Sequence, residues 1–397
     1  LICKNILKVN LKMKKSKIVA LEAIATIVGT TIGAGFLGIP YVVAKSGFFI
    51  GLLHLIFLAL MIIITNLCLS EVMLRTKGIH QIPGYINLYL GKKAKALAIF
   101  AVIFGLYSAL IAYFIGEGQV LSYVFTGSTK YSLLFSVFFF VIFAFIIFFG
   151  IKALEKSETI IMFIVIALML TIAFLFLPSA KIENLTYISK NPVEWFLPYG
   201  VILFSFLSFS CLPEVRQEVL KNEKVLKKCM LIGTSIPLLL YIIFTISILG
   251  FAGRATPEIA TIGLGKIPSL LAIFTMFTAS IALGNASKDI FYFDLKIKKF
   301  PSFLLSTFLP FFLYVLLVKL NLSGFIRMLD VGGAVSGGLT GILIILTFLK
   351  ARKARLRMFT RKPEFKLKIP KFIYLLLILI YVLGIAYVLF FDFLHRK

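Results

Sequence analysis

Ala25-Thr26-Ile27-Val28-Gly29-Thr30-Thr31-Ile32-Gly33-Ala34-Gly35-Phe36-Leu37-Gly38-Ile39-Pro40 is a glycine-rich interruption inside an apolar run that extends from residue 18 to residue 43. About eleven residues of the run precede Gly29. At ~1.5 Å per residue they reach roughly 16 Å, close to the midplane of a ~30 Å hydrocarbon core. Backbone N–H and C=O groups freed at that depth have no water to meet. Irregular backbone there must line a cavity or be packed within protein. Two other readings of the same letters exist. Gly33-Ala34-Gly35-Phe36-Leu37-Gly38 spells G-x-G-x-x-G, but no strand precedes it, so a dinucleotide loop is set aside. Gly29 and Gly33 spell G-x-x-x-G, which can mean close helix packing alone. A second interruption later in the chain favours a binding site.

Composition supports a bilayer setting. The chain of 397 residues is 60% hydrophobic with 42 phenylalanines and only 15% charged residues, at a mean hydropathy of +1.05. No soluble domain keeps that much apolar surface from water. Cys3, Cys68, Cys211 and Cys229 show neither ligand spacing nor a disulfide framework, so no metal and no cofactor is expected. Met13-Lys14-Lys15-Ser16-Lys17 reads as a natural start, leaving residues 1–12 of a basic tail (1–17) as non-native or disordered sequence. The apolar run that follows is too long for a signal peptide and stays as a membrane helix.

Apolar segments of spanning length run over 18–43, 48–74, 97–123, 131–151, 159–177, 195–219, 229–249, 269–293, 302–318, 325–349 and 372–393. The expectation is an all-α polytopic membrane protein with 11 transmembrane helices in one domain over 18–397. With the N-terminus cytoplasmic, 32 Lys and Arg fall inside and 10 outside, which orients the chain and leaves the C-terminus outside. The formal charge of +26 therefore reads as a topology signal, with the stretch from Lys350 to Lys371 resting on anionic headgroups, and no nucleic-acid partner is expected.

The sixth segment contains Pro198-Tyr199-Gly200-Val201-Ile202-Leu203-Phe204-Ser205-Phe206-Leu207-Ser208-Phe209-Ser210-Cys211-Leu212-Pro213-Glu214. Pro213 removes a donor and disfavours helix at Leu212, and the serines can bond freed backbone groups. Segments one and six hold corresponding places in two five-helix halves, the pattern of a 5+5 inverted-repeat transporter with broken helices 1 and 6. The repeats would cover about 18–177 and 195–349, with an accessory helix at about 372–393.

The first-helix motif from Gly29 to Pro40, Glu71-Val72-Met73-Leu74-Arg75-Thr76-Lys77-Gly78, Gly84-Tyr85 before Tyr89-Leu90-Gly91, and Phe204-Ser205-Phe206-Leu207-Ser208-Phe209 before Pro213-Glu214-Val215 carry a resemblance. They are similar to amino-acid permeases of the aromatic and hydroxy amino-acid type and to their amino acid/auxin permease relatives. The resemblance spans segments one to ten and implies the leucine-transporter type of fold. It places a free amino acid between the unwound parts of helices one and six. Its carboxylate would meet N–H groups around Gly33, Ala34 and Gly35, where a helix N-terminus suits an anion. Its ammonium would meet carbonyls near Val28, Gly29, Phe204 and Ser205. Its side chain would point at Phe206, Ser208 or Phe209 and at Tyr107 and Tyr113 on the third helix, in a pocket suited to aromatic or other hydrophobic amino acids. Gly35→Val is then expected to fill the site while the bundle still folds.

For ion coupling, sodium-coupled members of this fold present adjacent hydroxyls on the eighth helix. Here Thr275-Met276-Phe277-Thr278-Ala279-Ser280 has hydroxyls that are not adjacent. A proton is the expected coupling ion, with Glu117, between Gly116 and Gly118, as its carrier and Thr278 as the remaining hydroxyl candidate. Sodium coupling or exchange within the same fold is the alternative. Of the carboxylates Glu22, Glu71, Glu117 and Asp289, all but Glu117 fall near cytoplasmic ends. Intramembrane carboxylates are functional by default, whereas interfacial ones are usually solvated or capped. A membrane-embedded lipid-linked transferase would want clustered carboxylates or a histidine base, but His54, His80 and His395 are scattered. A channel would want polar rings along a pore. The reading is a secondary transporter in the cell membrane. In intact cells, a cysteine introduced beside Arg355 should escape an impermeant thiol reagent and one beside Lys397 should react. The opposite pattern overturns the orientation.

Overall fold

The structure, a computed structural model, describes residues 18–150, 152–354 and 359–392. The basic tail 1–17 with its start at Met13, Arg355 and Arg357, and the C-terminus with His395 and Lys397 lie outside the described residues. Among those described, every extended element is a helix, and β-pairing is confined to two isolated bridges, Gly47 with Ile188 and Thr76 with Thr360.

The first apolar run forms α1 (Ile18–Thr31), a break, and a second helical piece from Ala34 to Ser46 inclined by 45° to the first. That piece opens as a tight turn, Ala34–Gly38, and continues as α2 (Ile39–Ser46) with Pro40 in its first turn, where a missing N–H costs nothing. Then follow α3 (Phe48–Arg75), α4 (Ile82–Leu90), α5 (Lys92–Thr126), α6 (Ser132–Phe149), α7 (Lys152–Phe176) and the short α8 (Glu183–Thr186). The sixth apolar segment is α9 (Pro198–Phe206) and α10 (Leu212–Glu218), and beyond it come α11 (Leu226–Ala252), α12 (Lys266–Asp289) and α13 (Lys299–Lys319). The tenth segment is α14 (Phe325–Val331) and α15 (Gly338–Lys353), joined by a wide π-helical turn over Gly332–Gly337, and α16 (Lys371–Tyr387) is last.

Among the described residues, nine helices are long and apolar enough to cross a membrane, ten if α1 and the piece beyond its break count as one bent span. The fifth expected segment lies on α7 (Lys152–Phe176), whose 25 residues reach about 37 Å at ~1.5 Å per residue. The second break differs from expectation. It falls at Leu207 and Ser208, whereas Leu212 is helical and Pro213 sits in the first turn of α10, so Pro213 starts a helix instead of interrupting one. Large apolar side chains such as Phe138, Phe145, Phe149 and Leu375 face outward, as a lipid-facing belt requires. α5 runs through the middle of the molecule and packs against α4, α6, α12, α13 and α14.

The end of the bundle that carries the basic segments is tied by buried ion pairs. Glu71, fully buried near the end of α3, accepts from Arg75 (2.7 Å), from Arg352 of α15 (3.0 and 3.1 Å) and from the Leu367 amide (2.6 Å). This is the capped role expected of an interfacial carboxylate. Arg216 of α10 donates to Glu223 (3.0 Å), to the Tyr85 hydroxyl (3.0 Å) and to the carbonyls of Gly78 (2.8 Å) and Thr76 (3.1 Å). Arg361 pairs with the other Glu223 oxygen. One arginine thereby fixes the half-helix beyond the second break to the α3–α4 connection. Arg216→Ala leaves Glu223 and two carbonyls short of a donor and should lower stability by about 3–5 kcal/mol. Arg361→Ala, at a rim position, should cost about 1 kcal/mol or less. Thermal midpoints of the purified variants check the ranking, and equal small shifts would contradict it.

Candidate functional site

Both breaks open onto one cavity of about 170 Å³. Its walls include Thr30, Thr31, Gly33 and Gly35 from the first break, Phe204, Ser205, Leu207, Phe209 and Ser210 from the second, Tyr113, Leu106 and Gly105 of α5, and Ser336 and Thr340 of the tenth segment. Ile82 from the start of α4, Val102 and Ala109 of α5 and Leu283 from the last turns of α12 complete it. These positions place the cavity from the breaks toward the end where α5 begins at Lys92 and α15 finishes at Lys353. No charged side chain is in this lining. Any charge on a ligand must be met by backbone groups and hydroxyls.

Local chemistry explains why the first break meets the cavity with donors. Thr31 ends α1, its side chain bonding back to the Ile27 carbonyl (2.6 Å), and the Gly33 amide folds onto the Thr31 carbonyl (3.0 Å). The turn beginning at Ala34 has no side-chain cap at Gly33; the Ala34 amide bonds to the Tyr113 hydroxyl, and the amides that lead this turn form a helix N-terminus, a place where negative charge is favoured. The Tyr113 hydroxyl lies 3.4 Å from where a Cβ on Gly33 would stand. Across the cavity, α9 ends with the Leu207 amide on the Phe204 carbonyl (3.1 Å), and the Ser205 hydroxyl bonds back to Val201 (2.8 Å). The Ser205 carbonyl, in the last turn of α9, lies at the negative end of that half-helix dipole and accepts from the Tyr241 hydroxyl (3.0 Å).

The other expected site residues are placed elsewhere. Val28 gives its carbonyl to the Ile32 amide (2.9 Å) inside α1, and neither Val28 nor Gly29 is in the cavity wall. Ala34 is buried directly behind the wall. Phe206 is buried with its ring 5.2 Å from that of Tyr241, and the Ser208 hydroxyl accepts from Asn66 of α3 (3.0 Å). Tyr107 departs most from expectation. It donates to the Leu305 carbonyl of α13 at 2.5 Å and packs beside Phe291, so it joins α5 to α13 instead of facing a ligand. Thr278 bonds to the carbonyls of Phe274 (2.9 Å) and Thr275 (3.2 Å), and Thr275 and Ser280 likewise turn back on α12. Glu117 is fully buried, and neither of its oxygens has a hydrogen-bond partner among the described residues.

Two groups escaped the sequence reading. Asp330 in the tenth segment is 1% exposed and packs on Gly200, and a plain inventory of carboxylates within the spans would have found it. Tyr241 on α11 donates toward the carbonyls of Thr31 (2.8 Å) and Ser205 (3.0 Å), one from each break. No local pattern marks it, because its partners lie 210 and 36 residues away.

A polytopic helical protein whose two broken helices open onto one cavity has the architecture of a membrane carrier. The model of the tryptophan/tyrosine permease family matches residues 14–262, more than half of the sequence, and the chain belongs to that family. It is 25% identical over 287 residues to glutamine transporter 2 of Aliivibrio fischeri, covering 66% of this chain and 73% of that relative. It is 29% identical over 225 residues to tyrosine-specific transport system 1 of Haemophilus influenzae, covering 56% and 55%, and 25% identical over 233 residues to tyrosine-specific transport system 2 of the same organism, covering 58% and 57%. The match spans little more than half the length of the two tyrosine-specific relatives. The family and these relatives are permeases and transporters, not enzymes, which removes the transferase reading.

The geometry corrects which glycine separates packing from binding. A Cβ on Gly35 would stand 2.6 Å from the Ser205 hydroxyl and 3.1 Å from the Ser205 Cα, so Gly35→Val drives the two breaks apart and loses fold and site together. Gly33 is extended (φ −90°, ψ −157°) and meets only ordinary contact with Tyr113. Gly33→Ala should therefore fold as well as the wild type while its methyl crowds the ligand's approach to the neighbouring amides, weakening substrate affinity by about ten-fold, the loss of one charge-assisted hydrogen bond. Yield, thermal midpoint and dissociation constant of the purified variant test this. A lowered midpoint with unchanged affinity would make Gly33 a packing residue.

Proposed function

We propose that this chain is a secondary active amino-acid transporter that carries aromatic or other hydrophobic amino acids by alternating access, driven by a proton gradient. The observation that carries the reading is the shared cavity, where the helix N-terminus at Ala34 faces the C-terminal end of α9. A free amino acid has the matching pair of charges, since its carboxylate suits the first and its ammonium the second. Phe204, Phe209, Leu106 and Tyr113 in the wall suit an apolar or aromatic side chain, and two relatives are named for tyrosine transport. Substrate would bind at Gly33, Ala34, Gly35, Phe204, Ser205, Phe209 and Tyr113. Phe206, Ser208 and Tyr107 act behind it.

In this reading the chain has eleven spans, arranged as two inverted repeats of five over about 18–177 and 195–349 with an accessory helix at about 372–393. The N-terminus is cytoplasmic and the C-terminus outside. The extension of the cavity toward the basic end then makes this an inward-facing arrangement. Glu117 supports proton coupling, because a buried intramembrane carboxylate with no hydrogen-bond partner among the described residues is a place where a proton is taken up and released. The hydroxyls of α12 that turn back on their own helix supply no cage for sodium.

Proteoliposomes loaded with buffer and challenged with each amino acid, with pH and sodium gradients imposed separately, test the proposal. An inward proton gradient should drive saturable accumulation of an aromatic amino acid. Glu117→Gln should lose most of that drive while its substrate affinity stays within about three-fold, under 1 kcal/mol. Uptake that follows sodium and ignores the pH gradient would contradict it.

A further inference from the structure

Tyr241 sits at a point where one hydroxyl from a third helix is shared by the backbone of both broken helices. Its oxygen lies 2.8 Å from the carbonyl of Thr31, the last residue of α1, and 3.0 Å from the carbonyl of Ser205, in the last turn of α9. The side chain is 1% exposed. Its ring is held between Phe36, which follows the first break (stacked, 6.3 Å), and Phe206, which precedes the second (5.2 Å). One residue of α11 therefore touches the backbone of both breaks and is clamped by an aromatic ring from each.

The chemistry of that point is unbalanced. A phenol carries one proton, and two carbonyl oxygens converge on it. Only one can receive the hydrogen bond in full at any moment, and carbonyl oxygens converging on one place are also what a hard monovalent cation coordinates. We propose that Tyr241 is the positioning residue that joins the two breaks, its hydroxyl filling the place that a monovalent cation would otherwise take between the Thr31 and Ser205 carbonyls. The link between the half-helices is then built into the polypeptide and needs no bound ion. This rests on the transport reading only where it concerns substrate affinity; the bridge itself does not depend on it.

The proposal is tested on purified wild type and Tyr241→Phe, each in sodium chloride and in choline chloride of equal strength. Wild type should show the same thermal midpoint and the same affinity for its amino acid in both salts. Tyr241→Phe removes the hydroxyl donor from the Ser205 carbonyl and leaves the Thr31 carbonyl with the Gly33 amide alone. In choline its affinity should fall about ten-fold, as the loss of a buried hydrogen bond predicts. In sodium the affinity should return and the midpoint should rise by about 2 °C or more, because a ligand that binds only the folded state stabilises it. Unchanged affinity in choline, or a variant whose midpoint and affinity ignore sodium, would overturn the bridge. Should the variant not give monodisperse protein, 4-aminophenylalanine at position 241 decides. Its two N–H donors serve both carbonyls at once, so it should behave as wild type in either salt, and a loss of affinity there would overturn the proposal. If wild type binds and transports no amino acid, the transport reading fails by itself, and the sodium response of the Tyr241→Phe midpoint still reads the bridge.

Discussion

A backbone break inside an apolar bundle has to be satisfied by something other than water, and the structure is arranged around that requirement. Each break frees several polar groups, which cost several kcal/mol apiece if left alone in hydrocarbon. The chain meets part of the requirement with its own side chains. Thr31 and Ser205 bond back to the preceding turn, Asn66 reaches Ser208, and Tyr241 stands between the two half-helix ends. The leading turn at Ala34 has no cap from Gly33 and meets the Tyr113 hydroxyl. Its amides are the groups that the proposed ligand would bond.

Close approach is the second constraint. The breaks meet because small residues let them meet: Gly35 lies against Ser205, and Gly333 in the turn after α14 packs against the Gly200 carbonyl and Phe204. The tenth segment reaches the cavity through that turn, contributing Ser336 and Thr340. At the basic end, Arg216 fixes the half-helix beyond the second break to the α3–α4 connection, and Glu71 gathers Arg75, Arg352 and the Leu367 amide. Movement of that half-helix would have to break or carry with it a buried arginine with four partners.

The helical, many-span architecture was legible in hydropathy, and the first break in its glycines, because both are local properties of the sequence. The second break was legible as a region but not as a position. Pro213 drew attention to Leu212, whereas the chain departs from helix at Leu207 and uses the proline to begin α10. Gly33, Gly35, Phe204, Ser205 and Phe209 could be set at the cavity by their nearness to the breaks, and Tyr113 by the resemblance alone. Tyr107 could not be told from Tyr113, although six residues apart on α5 turns its hydroxyl to Leu305. Tyr241 was illegible for a more basic reason: its role is made by two contacts across the fold, and along α11 it reads as one more aromatic in an apolar helix.

The central claim is that backbone groups at the two breaks recognise an amino acid by its carboxylate and its ammonium. Competition binding on the purified wild type reads this most directly. A labelled amino acid that binds is challenged with three analogues sharing its side chain: the free acid, the Cα-amide and the des-amino acid. The claim predicts that the free acid competes fully while each analogue is weaker by about ten-fold or more, since each lacks one charged partner for the site. Equal competition by all three would mean that the side chain alone is recognised and that the breaks are not the binding site.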